Sequence, residues 1–134
     1  MTTHDPETNE SDTAARSART IRYAATAGYL TRRVARAEGR GGYAHRCPLA
    51  AFEAVAAAVA DLPATGGDGT TLDRLADALG LPWTRVNVAL EFLKARGVAE
   101  VRFGRKTHPA SACAFEDAMC EFHALRESGR EVGG

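Results

Sequence analysis

The sequence predicts a mainly α fold with a helix-turn-helix at its centre, a small β-hairpin after it, and further helices on either side. Three observations predict it. Leu72, Leu75, Ala76 and Leu79 recur at i, i+3, i+4 and i+7, and Val86, Ala89, Leu90 and Leu93 repeat that spacing; each set puts one apolar stripe on a helix. Between the two sets lie Gly80-Leu81-Pro82. A Gly there suits a helix end that needs positive φ, and a Pro suits the start of the next helix. After the second helix, Val98–Phe103 is β-rich, Gly104-Arg105 can form a two-residue turn, and Lys106-Thr107-His108 returns until Pro109 stops pairing.

Each element in chain order has its own warrant. Residues 1–18 carry Asp5, Glu7, Glu10 and Asp12 against Arg16, with no apolar period. That composition predicts a disordered acidic tail. In residues 19–38, Tyr23, Ala27, Leu30, Val34 and Ala37 step by four and three, which predicts a helix whose off-stripe positions are rich in Arg. Gly39, Gly41 and Gly42 break it, so residues 19–46 read as an Arg-rich helix and a Gly-rich linker. Pro48 opens a helix through Asp61, with Leu49, Phe52, Val55, Ala56 and Val59 inward. Residues 61–69 are a loop, and no Gly-Lys-Ser/Thr follows its glycines, so it is no phosphate loop. Thr70 and Asp73 suggest a capping box for the next helix. Ser111 caps a last helix with Phe115, Ala118, Met119, Phe122 and Leu125 on one face, and residues 128–134 are a frayed tail. Residues 47–127 therefore form the folded domain.

Here the chain resembles winged helix-turn-helix DNA-binding regulators. The residues that carry the resemblance are the helix Leu72–Leu79, the turn Gly80-Leu81-Pro82, the helix Trp83–Arg96, and Arg96-Gly97-Val98 leading into the hairpin. The match spans roughly residues 48–108 and is not specific to one subfamily. It implies a winged helix-turn-helix fold and a DNA-binding transcriptional regulator that reads the major groove with helix 83–96. The hairpin is then the wing, which touches the backbone or enters the minor groove.

The residues themselves offer donors for that chemistry. Packing of Val86, Ala89, Leu90 and Leu93 leaves Trp83, Thr84, Arg85, Asn87 and Val88 outward, with Glu91. An Arg can pair with guanine and an Asn with adenine, and a Thr at a helix start can hold a phosphate. Arg102, Arg105 and Lys106, with His108, make the hairpin basic. The plain alternative is a solvated helix face and a hairpin kept soluble by charge. Phe92 also points outward in this reading, without an evident partner. His45 and His108 read as surface residues.

The chain has zero formal net charge, but the charge is unevenly placed. Residues 19–46 hold seven Arg and one Glu. This block is an arm along a DNA backbone, the solvated face of an amphipathic helix or, against its narrow and partly Ala apolar face, a membrane-surface helix. The odd set Cys47, Cys113 and Cys120 argues against a disulfide framework and for the cytoplasm. No apolar run approaches membrane-spanning length, which predicts no membrane partner.

Phe115, Met119, Phe122 and Leu125 offer a seam for a homodimer or simple packing on the same core. Cys113, Cys120 and His123 lie on the last helix and suggest a metal- or thiol-responsive repressor as one alternative. No resident metal or cofactor is expected. A further alternative is a winged-helix protein–protein module in a larger assembly. No catalytic signature is present, so an enzyme is not expected.

Overall fold

The structure, a computed structural model, describes residues 19–36 and 41–134. Its strands are β1 (Thr20–Ala25), β2 (Tyr29–Ala35), β3 (Gly42–Pro48), β4 (Ala99–Arg102), β5 (Lys106–Pro109) and β6 (Val132–Gly133). Its helices are α1 (Leu49–Ala60), α2 (Leu72–Leu79), α3 (Trp83–Ala95) and α4 (Ala114–Ser128). β1, β2, β3 and β6 form a four-stranded antiparallel sheet in the order β3-β2-β1-β6. The fold is therefore α/β, and the expected mainly α class is wrong. The predicted acidic tail, residues 1–18, lies outside the described residues.

The error lies in residues 19–46. The stripe read as one helix is a hairpin followed by a third strand. Thr26 N–H donates to Tyr29 O at 2.9 Å, so Ala27 and Gly28 form a two-residue loop. Gly28, an anomaly inside a helix, marks a turn. Thr20, Ile21, Tyr23, Tyr29, Thr31 and Val34 are the β-branched and aromatic types that suit a pleated surface. The register pairs Ile21 with Val34, Tyr23 with Arg32 and Ala25 with Leu30, and then Leu30 with Cys47 and Arg32 with His45. Directly opposed residues share a face, so Ile21, Tyr23, Leu30, Val34 and Cys47 all face inward. Thr20, Arg22, Arg33, Ala44 and Arg46 face outward.

β3 runs straight into α1, whose Leu49 N–H donates to Gly28 O at 2.9 Å. The inner face of the sheet lies on α3, and α3 in turn lies on α1. Aromatic rings join these layers. The Tyr23 and Phe92 centroids are 5.3 Å apart, Phe52 and Phe92 5.9 Å, and Phe52 and Phe122 5.4 Å. Phe92, which had no partner in the sequence reading, thus stands at the middle of the core between sheet and helices.

α2 and α3 occupy the residues that their spacing marks. The cap is displaced by one residue: Thr71, not Thr70, caps α2, accepting from Arg74 N–H at 3.2 Å. Thr70 instead pairs with Thr107 through two backbone hydrogen bonds of 2.9 and 2.8 Å. β5 is therefore flanked on both edges, by β4 and by Thr70. Ser111 likewise stands before α4, where its hydroxyl accepts from Cys113 N–H at 3.1 Å; the N-cap position is Cys113. α4 ends at Gly129 in the left-handed region, φ 64°. The chain beyond it is no frayed tail: Val132 and Gly133 pair with Tyr23 and Arg22 on β1.

Candidate nucleic-acid interface

The helix-turn-helix is built by one backbone device. Gly80 takes φ 64° at the end of α2, and Leu81 N–H donates back to Ala76 O at 3.2 Å. This closes α2 and turns the chain through Pro82 into α3. Val86, Ala89, Leu90 and Leu93 are then fully buried. Trp83 is half exposed at 52%, and Thr84 and Arg85 are exposed beside it. Asn87 is partly buried on the next turn.

Val88 does not belong with them. It is 0% exposed, and so is Phe92 one turn on. The four-stranded sheet covers that flank of α3, so Val88 is a core residue and cannot touch a base. Of the residues expected to touch DNA on α3, those with exposed or partly exposed side chains are Trp83, Thr84, Arg85 and Asn87, close to the N-terminal end of the helix. Further along, Glu91 accepts from Lys94 at 3.1 Å, so these two charges neutralise each other.

In the hairpin, the expected basic residues have unequal freedom. Arg102 is folded back, with Nε 2.7 Å from Glu100 Oε2 and a second nitrogen 3.2 Å from Pro109 O. Lys106 is partly buried, and Arg105 is exposed at the turn with φ 60°. Phe103 at the same turn is completely exposed, and Val101 is 52% exposed. His108 is buried, contrary to the surface placement expected, because β5 is the middle strand between β4 and Thr70. Its imidazole lies against Gly69, where an added Cβ would fall 2.6 Å from Nε2.

The inner face of the sheet brings further groups to the flank of α3. Burial raises the pKa of the Tyr23 hydroxyl, and Arg32 beside it works the other way. Burial acts against the charge of Arg32, yet the neighbouring Tyr23 and Tyr43 hydroxyls favour it and leave its pKa raised, while its Nε is buried without a hydrogen-bond partner. Cys47 is fully buried, and burial pushes its thiol up to about 12, eased slightly by Arg85.

The last helix offers no metal centre. Cys113 and Cys120 are exposed thiols. Among the described residues no three His, Cys, Asp or Glu side chains come together to hold an ion. Nor is its apolar stripe vacant. Ala118, Phe122 and Leu125 are buried in the chain's own core, with Phe115 and Met119 packed against it, so the expected dimer seam is used internally. Among the described residues no helix is long and apolar enough to cross a membrane.

The Arg block of residues 19–46, read as an arm along a DNA backbone or the face of a helix, is instead distributed over a sheet. With β1–β3 in place, Arg22, Arg33 and Arg46 stand together on the outer face of the sheet. The signal was the alternation in Ile21-Arg22-Tyr23 and in Arg32-Arg33-Val34.

The fold defines a small α/β protein in which a four-stranded antiparallel sheet packs on the second helix of a helix-turn-helix, with a separate two-stranded hairpin following that helix. Comparison with protein-family models, with curated proteins and with solved structures finds no match.

Proposed function

We propose that the protein is a DNA-binding transcriptional regulator of the cytoplasm that contacts duplex DNA through the start of α3, with the hairpin turn beside it. One observation carries the reading. Thr84 and Arg85 are exposed and Asn87 is partly so, at the end of α3 that α2 and its turn hold rigid. N-terminal residues of such a helix are the ones that reach base edges in helix-turn-helix proteins. The helix start also adds the positive end of its dipole for a phosphate near Thr84. Arg105 supplies an exposed cation at the hairpin turn. Burial of Val88 and Phe92 restricts the contact to about the first turn and a half, so few bases are read directly.

The reading is tested by selecting a preferred duplex and measuring anisotropy with Arg85→Ala and Asn87→Ala. Each is expected to weaken binding to the preferred sequence by about 1–3 kcal/mol, or roughly 5- to 150-fold, and to relax preference at one base pair. Unchanged affinity and preference in both variants would overturn the assignment.

A second reading, a protein–protein module, is favoured by the fully exposed Phe103 with Val101 in the same hairpin. Aromatic residues are enriched at the centres of such interfaces. It predicts no duplex binding even at low salt.

A further inference from the structure

We infer that the outer face of the four-stranded sheet is a second, separate docking surface for the phosphodiester backbone of duplex nucleic acid, centred on Arg22, Arg33 and Arg46. This surface does not depend on α3. The sheet packs on α3 through its inner face, and the three arginines project from the opposite one.

Charge placement is the first argument. The whole chain is formally neutral, yet the described residues of 19–36 and 41–48 contain six Arg and neither Asp nor Glu, and three of the six, Arg22, Arg33 and Arg46, lie on the outer face. A basic face on a neutral protein is the electrostatic footprint of a polyanion partner.

The second argument is an internal cost. Arg22 lies directly opposite Arg33 across the β1–β2 ladder, and Arg46 is opposite Thr31, one diagonal step from Arg33. Like charges directly opposed on a sheet destabilise it. Among the described residues the only carboxylate that answers them is Glu131, 3.2 Å from Arg33 Nε. Arg22 and Arg46 have no carboxylate partner there. A row of phosphates supplies the missing charge.

Shape and surroundings narrow the partner. Ala24, Ala35, Gly42 and Ala44 surround the arginines on this face, so among the described residues only Tyr29 stands tall beside a rod laid across it. Tyr29 is the one aromatic on it among the described residues, and the Arg46 guanidinium already sits 4.7 Å from its ring centroid. Single strands bind by stacking bases on free aromatics, and this face has none to offer. It lacks apolar anchors for a bilayer as well. Backbone contact with a duplex, indifferent to sequence, is what remains.

The test is anisotropy of a labelled random-sequence duplex with the full chain, from 50 to 200 mM salt. Arg22→Ala/Arg33→Ala/Arg46→Ala is compared with the same three positions changed to Lys and with Arg85→Ala/Asn87→Ala. Loss of three phosphate contacts flattens the slope of log K on log salt by about 2.7. Across that salt range the wild type then loses roughly fortyfold more affinity than the alanine variant. The lysine variant keeps the slope, because phosphate contact needs charge and not a guanidinium fork. Circular dichroism and a urea midpoint at or above wild type show that the alanine variant is folded.

An unchanged slope in the alanine variant overturns the inference. So does equal loss in the lysine variant, or binding to phosphatidylserine vesicles without binding to duplex. The α3 variant separates the two surfaces. If, on the preferred duplex, the α3 variant loses affinity while the sheet variant keeps the wild-type salt slope, the function proposed for α3 stands and the sheet surface falls; if the sheet variant flattens the slope while the α3 variant keeps both affinity and preference on that duplex, the reverse holds.

Discussion

Truncation of Phe92 is the sharpest test of how this molecule is held together. The Phe92 ring is fully buried and meets Tyr23 of β1 at 5.3 Å and Phe52 of α1 at 5.9 Å, both at an interplanar angle of 64°. It joins the sheet to the helices through α3. Phe92→Ala removes that ring from a site closed on every side, and such a change costs about 3–5 kcal/mol. Against a total stability of about 5–15 kcal/mol for a domain, that is a large fraction. Phe92→Leu refills most of the volume but loses two edge-on aromatic contacts, worth about 0.5–1.5 kcal/mol each. The assay is urea unfolding followed by circular dichroism, with midpoint and slope fitted separately. The expected order of stability is wild type, then Leu, then Ala. If Phe92→Ala costs less than about 1 kcal/mol, the sheet does not depend on this ring and the layered account of the core fails.

Three further outcomes follow, two from Cys47 and one from a glycine. At pH 8 in the native state, iodoacetamide is expected to label Cys113 and Cys120 but not Cys47, with a third label appearing only in denaturant; early labelling of Cys47 would show that its site opens. Because burial pushes the Cys47 thiol up to about 12 from 9.0, the folded state keeps a proton that the unfolded chain releases, so stability is full below about pH 9 and falls as the pH rises towards 12. Urea midpoints from pH 8 to 11 should fall less steeply in Cys47→Ala, and an identical slope would remove Cys47 as a cause. Gly69→Ala places a Cβ 2.7 Å from Thr107 O at φ 70°; left-handed strain of about 1–2 kcal/mol and crowding of about 1–3 kcal/mol should both appear in its unfolding free energy. An unchanged midpoint would show that β5 does not hold that loop.

What was legible in the sequence depended on how many structures one pattern fits. The stripes of α2 and α3 fit only a helix, because four positions at i, i+3, i+4 and i+7 cannot share one face of a strand. Tyr23, Leu30 and Val34 fit both periods, since 30 and 34 align on a strand as well as on a helix. The true alternation was blurred by Arg32 on the inner face and Ala24 on the outer. Gly28 carries the decisive signal, since a glycine weakens a helix interior and suits a turn. The misplacement of Val88 followed from that error. A helix face can be called outward only when every element that packs on it is known, and the sheet was missing. Trp83, Thr84 and Arg85 are exposed as expected, because none of the described elements covers the helix start. The arginine face was illegible for the same reason as the sheet: side chains from three strands become neighbours only once their register is set.

β6 contributes two residue pairs to the sheet, yet it comes from more than a hundred residues after β1. β1, β2 and β3 are joined by short connections and can zip up from local contacts, whereas β6 must wait for a long loop to close around the helices. So short a strand, fastened late and by few bonds, is the seam along which this molecule first comes undone. Backbone amides of Val132 and Gly133 should exchange with solvent well before those at the centre of the β1–β2 ladder. Each such opening bares the β1 edge, which the strand otherwise keeps from pairing with another chain.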